Sequence, residues 1–145
     1  MTFIGEFQHN LDLKKRLAIP AKFRKELGRG AVLTRGLDRC LFLFPVSQWK
    51  VFAEKLGGMP FGKQDNRAFA RLFLAGASGV DFDSLGRILI PDSLKEYAGL
   101  NKEAVIAGVF NRLEIWDMAK WSAYKNDLEK NSDKIAEKLG ELGIV

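Results

Sequence analysis

Asp12-Leu13-Lys14-Lys15-Arg16-Leu17-Ala18-Ile19-Pro20 occurs in this chain a second time, as Asp83-Ser84-Leu85-Gly86-Arg87-Ile88-Leu89-Ile90-Pro91. Asp, Arg, the apolar triplet and Pro recur at one offset of 71 positions (83 − 12, 87 − 16, 91 − 20). A lone Asp-x-x-x-Arg arises often by chance. Followed by three apolar residues and Pro, twice in register, it marks an internal duplication.

The spacing describes a turn that leads into a strand. An Asp side chain accepts hydrogen bonds from backbone N–H groups two residues on, which favours a turn. Gly86 is comfortable at positive φ just before a strand begins. Leu17-Ala18-Ile19 and Ile88-Leu89-Ile90 are short apolar runs that predict strands buried on both faces. Pro20 and Pro91 end these strands and suit the first turn of a helix. The Arg of each copy sits where turn becomes strand. Two roles are open to it: a structural staple folded back on the Asp, or a contact to a ligand. The surrounding charge favours the second role more for Arg16 than for Arg87.

The net charge of +5 is unevenly spread. Residues 1–57 hold 11 Lys/Arg against 5 Asp/Glu, a net of +6, and residues 58–145 a net of −1. The whole excess lies with the first copy, as suits a polyanion partner or merely a soluble surface. Hydrophobic residues are 47% of the 145, enough for a packed core and against disorder. No apolar run approaches the length of a membrane span, and the N-terminus lacks a signal-peptide pattern. Cys40, the one cysteine, lies in the apolar run Cys40–Phe44 and reads as a buried thiol. A cytoplasmic protein fits these bounds.

Along the chain, residues 3–11 read as an extended lead-in and 20–28 as a short amphipathic helix stopped by Gly28. Residues 31–34 and 40–44 read as strands around a turn at 36–38. Ser47 is placed to cap a helix carrying Trp49, Phe52 and Leu56. After a Gly-rich linker at 57–64, Asp65 or Asn66 could cap a connecting helix with Phe69, Leu72 and Phe73 inward. The second copy then repeats the first: a lead-in strand at 78–82, a helix from Pro91 to Gly99, and strands at 103–109 and 113–116. Trp121 answers Trp49 at an offset of 72, so the register slips by one position. Asp117 is placed to cap the last long helix, with a break near Asn131-Ser132-Asp133.

Each copy is about 45 residues, too small to bury a stable core alone. Two copies are expected to share one core. The expected architecture is α+β, mostly β: a single β-barrel with pseudo-twofold symmetry, strands of the two copies interleaved and helices outside. The expected boundaries are 5–48 for repeat 1, 49–76 for linking helices, 77–120 for repeat 2 and 121–145 for a C-terminal helical tail.

The residues Gly5–Asp12, Leu17–Arg24, Leu33–Leu43 and Gly86–Pro91 resemble the MraZ family of bacterial transcriptional regulators and, more broadly, the SpoVT/AbrB superfamily of swapped-hairpin and double-psi barrels. The match runs over roughly residues 1–125. The resemblance implies two SpoVT-AbrB repeats in one barrel, ring-shaped homo-oligomers, and binding to short direct repeats of double-stranded DNA upstream of the division and cell-wall gene cluster. It implies a nucleoid-associated protein. By carry-over it makes Lys14, Lys15 and Arg16 the DNA-reading loop, with His9 and Asn10 flanking it. Arg16 suits a guanine edge, and Lys14 and Lys15 suit phosphates. The second loop has Asp81 and Asp83 and no Lys, so Asp12, Asp83, Gly86 and Arg87 are assigned to the turn motif itself. The family usually has Gly where this chain has Lys15. If that position needs positive φ, Lys costs on the order of 1 kcal/mol there.

Catalysis finds little material. His9 is the only His, no metal-ligand cluster or phosphate-binding Gly-rich loop is present, and neither cofactor nor small-molecule substrate is implied. The rival to a DNA-binding regulator is a ring-forming structural or protein-interaction module without specific DNA binding.

Overall fold

A computed structural model describes residues 2–144. The elements run β1 (Phe3–Asn10), β2 (Arg16–Ala18), α1 (Ala21–Leu27), β3 (Gly30–Arg35), β4 (Leu41–Pro45), α2 (Val46–Gly57) and α3 (Gln64–Ala70). A π-helical turn, Arg71–Ala75, extends α3. Then come β5 (Ser78–Asp81), β6 (Arg87–Leu89), α4 (Asp92–Ala98), β7 (Glu103–Phe110), β8 (Leu113–Asp117), α5 (Met118–Lys130) and α6 (Ser132–Glu141). The class is α+β with antiparallel sheets, and each copy supplies four strands.

The two copies are interleaved. Six strands form one antiparallel sheet in the order β1-β7-β8-β4-β3-β5, and β2 pairs with β6 in a separate ribbon. The first strand of each copy therefore pairs with the third strand of the other. Asn10 lies opposite Glu103 and His9 opposite Ala104; in the twin pairing Asp81 lies opposite Gly30 and Val80 opposite Ala31. These are the same register once β1 and β5 are offset by 71 and β3 and β7 by 73. Two residues have thus been gained between α4 and β7, where Leu100-Asn101-Lys102-Glu103 stand in place of Arg29-Gly30. One is lost again at the β7–β8 turn, since Arg35 pairs with Leu41 and Gly108 with Leu113. That gain and loss together explain the offset of Trp49 and Trp121.

Apolar side chains of both copies meet in one core. Leu17, Phe23, Leu33 and Leu43 pack with Ile88, Leu94, Ile106 and Ile115, all buried. A smaller cluster covers the sheet's other face, where Phe44, Phe73, Val105 and Trp116 are capped by Trp49, Phe52 and Trp121. All five residues of β4 are consequently buried. Cys40 is buried here too; its thiol donates to the Leu37 carbonyl at 3.2 Å, and burial pushes its pKa far up.

Several local expectations change. The apolar triplets are not buried on both faces: Ala18 is half-buried and Leu89 exposed, because β2 and β6 form a two-stranded ribbon with alternating sides. Ser47 lies inside α2, whose N-cap position is Pro45. Neither Asp65 nor Asn66 caps α3; the Asn66 amide instead donates to the Pro60 carbonyl at 2.8 Å. Phe69 is exposed, because the π-turn advances the inward face to Phe73. The Asp117 carboxylate does cap α5, accepting from the Lys120 N–H, and α5 does stop at Lys130. Among the described residues, no helix is long and apolar enough to cross a membrane.

Candidate nucleic-acid interface

The two turns share one geometry. The N–H groups of Lys14 and Arg16 donate to Asp12 Oδ1 at 2.8 and 2.9 Å; those of Leu85 and Arg87 donate to Asp83 Oδ1, both at 2.9 Å. The Asp carbonyl closes each turn by accepting from Lys15 or Gly86 at 3.0 Å. Every donor is a backbone group at a fixed distance from the Asp, so sequence spacing alone builds this clamp. The turns are also strapped together. Ile90 N–H donates to Lys15 O at 2.9 Å and Ile19 N–H to Gly86 O at 3.1 Å.

This geometry puts Lys15 at φ 62° and Gly86 at φ 76°. The left-handed conformation that the Gly86 position predicts is therefore forced on Lys15 as well. Gly86 meets a second constraint that Lys15 does not. A Cβ at residue 86 would fall on the Arg24 guanidinium.

The two arginines have diverged. Arg87 Nε donates to Asp83 Oδ2 at 2.8 Å, and its Nη1 reaches across to Asp12 Oδ2 at 3.3 Å. One guanidinium thus serves both carboxylates. Arg16 contributes only backbone groups to the clamp, its N–H and a carbonyl that accepts from the Asp12 N–H at 3.0 Å, and among the described residues its side chain has no ion pair. The Arg16 amide is the main reason the Asp12 carboxyl is held below its ordinary range, with the Lys14 amide and Arg87 adding to it. Asp83 is lowered likewise, first by the Arg87 amide.

Lys14 is exposed, Arg16 partly exposed, and Lys15 half-exposed in an ion pair with Asp92 at the start of α4. Leu13, beside them, is fully exposed. All three cations of the first turn can meet solvent. Strand alternation separates the two expected flanking residues, because successive side chains point to opposite faces. Asn10 is exposed beside the first turn, whereas His9 is partly buried on the other face of β1.

A groove of about 800 Å³ opens next to the first turn, between it and the α4–β7 loop. Asn10, Asp12, Leu13 and Lys15 form one wall, and Lys95, Asn101 and Lys102 the other. Sequence reading missed this second wall. Its one signal was the slipped register of the repeat, which places the extra residues at 100–103. Among the described residues, no cluster of His, Cys, Asp and Glu could hold a metal.

Comparison with known proteins agrees with the duplication. The family model described as "MraZ protein, putative antitoxin-like" matches twice, over residues 2–72 and 73–141. The chain is 49% identical over 142 residues to a protein of Natranaerobius thermophilus, covering 98% of this chain and 99% of that one. It is 50% identical over 137 residues to a protein of Carboxydothermus hydrogenoformans, covering 94% and 96%, and 50% identical over 142 residues to one of Pediococcus pentosaceus, covering 98% and 99%. All three carry the name Transcriptional regulator MraZ, that of a regulator and not of an enzyme. With the family unit matched twice along its length, the chain belongs to the MraZ family.

Proposed function

We propose that this chain is a sequence-specific DNA-binding regulator of transcription, acting on short direct repeats in the promoter of its own division and cell-wall gene cluster. The observation that carries the reading is the state of the first turn: a rigid clamp that presents Lys14, Lys15 and Arg16 to solvent while Arg87 takes over the acidic partner that Arg16 would otherwise hold. Arg16 inserts its planar fork into a groove and donates to a base edge, which a guanidinium does bidentately at guanine O6 and N7. Lys14 and Lys15 take phosphates, and Asn10 flanks them. His9, on the other face of β1, is assigned at most an indirect part. The names of the relatives support the regulatory role.

Three turn cations give a salt slope near −3 and an affinity toward the non-specific end of the scale. Tight binding then requires several protomers on successive DNA repeats, each adding through effective concentration. A ring of identical chains supplies that. Within each chain we propose a closed barrel of the double-psi or swapped-hairpin kind built from two repeats, 5–48 and 77–120, joined by 49–76 and followed by a 121–145 tail. The β2–β6 ribbon supports closure, because β2 continues the hairpin from edge strand β1 and β6 the one from edge strand β5. A cytoplasmic site on the nucleoid follows from the same reading.

The test is a gel shift on duplex DNA from immediately upstream of the gene. Arg16→Ala is expected to keep the fold and the assembly and to lose specific binding. Retention of wild-type affinity by this variant would refute the site assignment.

A further inference from the structure

The geometry points to Lys95 and Lys102 as a second anchor for DNA, a phosphate clamp that lines the groove beside the first turn. This inference rests on the DNA-binding reading and extends its surface from one loop to two.

The argument comes from comparing the two halves. The pseudo-twofold gives each turn a position beside it on the following helix: Arg24 on α1 lies beside the second turn, and Lys95 on α4 beside the first. At the second turn the place is filled. The Arg24 guanidinium lies over Gly86, with its Nε buried and without a partner. At the first turn the place is open, as the groove of about 800 Å³. The two residues gained between α4 and β7 fall on the rim of this open groove and bring Asn101 and Lys102 to it.

Electrostatics gives the ligand's sign. Three cations, Lys15, Lys95 and Lys102, line this groove, and Lys14 and Arg16 stand on the turn that forms its edge. Of the acidic groups nearby, Asp12 is engaged with Arg87 and Asp92 with Lys15, which leaves Glu103, next to Lys102 and opposite Asn10, without an ion pair among the described residues. Among the described residues, Lys95 and Lys102 have no ion pair. A cluster of this kind repels itself and raises the local concentration of anions. A duplex supplies phosphates on both sides of any groove that Arg16 enters.

The second wall is held rigidly. Leu11 N–H donates to Lys102 O at 2.7 Å, Leu100 N–H to Lys95 O at 3.0 Å, and Asn101 N–H to the Asp117 carboxylate at 3.2 Å. Ordering this loop is therefore done in folding and not charged to binding.

The experiment measures affinity by fluorescence anisotropy across a salt series, on the upstream duplex and on a random duplex of equal length. Lys95→Gln/Lys102→Gln is compared with wild type and with Arg16→Ala, with native mass measured on each. The double variant is expected to weaken both duplexes by the same factor, leave their ratio unchanged, and flatten the salt slope by about 2, since each phosphate contact contributes about 0.9. An unchanged slope, with Arg16→Ala still abolishing specific binding, overturns the clamp and leaves the turn assignment standing. An unchanged slope with an altered native mass also overturns it and makes the groove a contact between copies. Wild-type behaviour of both variants refutes the DNA-binding site as a whole.

Discussion

At the scale of single residues, Lys15 and Gly86 occupy equivalent left-handed positions, at φ 62° and 76°. A side chain costs about 1–2 kcal/mol there, and the extra freedom of glycine in the unfolded chain offsets about 0.4–1 kcal/mol of that. Lys15→Gly is therefore predicted to raise unfolding free energy by about 1 kcal/mol or less in urea titration, while weakening DNA binding. Gly86→Ala is predicted to lose about 1–3 kcal/mol, because Arg24 must also move. Asp12 and Asp83 have native carboxyl pKa values below the ordinary ones. Their stabilisation is complete above the unfolded carboxylate range, about 4, and is lost as pH falls through the lowered native values. Melting temperature should fall steeply on acidification in wild type and less so in Asp12→Asn/Asp83→Asn, which keeps an acceptor oxygen. The clamp and its positive φ were legible in the sequence, because backbone donors two and four residues from an Asp are a local matter. The reach of Arg87 to Asp12 was not, since it depends on two turns 71 residues apart lying side by side.

At the scale of elements, strand β1 is held against β7 at a close backbone approach. A Cβ on Gly108 would stand 2.5 Å from Ile4 N and 2.7 Å from Phe3 C, and strand backbone cannot swing aside. Gly108→Ala is predicted to cost about 2–3 kcal/mol, read as a lower urea midpoint. Helix α6 is the opposite case: none of its residues is buried. A chain ending at Lys130 should melt within about 2 °C of wild type, because little apolar area is lost. Strand and helix positions were readable from apolar periodicity and from Gly and Pro punctuation. The caps of α2 and α3 and the π-turn at Arg71–Ala75 were not. The π-turn carries Leu72, Phe73 and Leu74 onto the aromatic cluster on the outer face of β4, a contact with no local sequence signature.

At the scale of the whole molecule, the duplication is the fold. Because β1 pairs with β7 and β5 with β3, neither copy contains its own complete sheet. Residues 1–72 alone should not form a folded monomer; circular dichroism with sedimentation would find unfolded chain or a self-paired dimer, and a native-like monomer would contradict the interleaved account. The repeat and shared core were legible because the motif and the strand pattern recur at a near-constant offset. The wall formed by Lys95, Asn101 and Lys102 was not, because a two-residue gain acquires meaning only when folded against the other copy. The central claim is that the two turns have parted in function, the first meeting DNA and the second holding the scaffold. Disulfide cross-linking to thiol-modified duplex tests it most directly, because Cys40 is buried and an introduced thiol is the only exposed one. Leu13 and Leu85 are both exposed, one on each turn. Leu13→Cys is predicted to cross-link to the upstream duplex and Leu85→Cys is not; cross-linking from Leu85→Cys with none from Leu13→Cys would contradict the account.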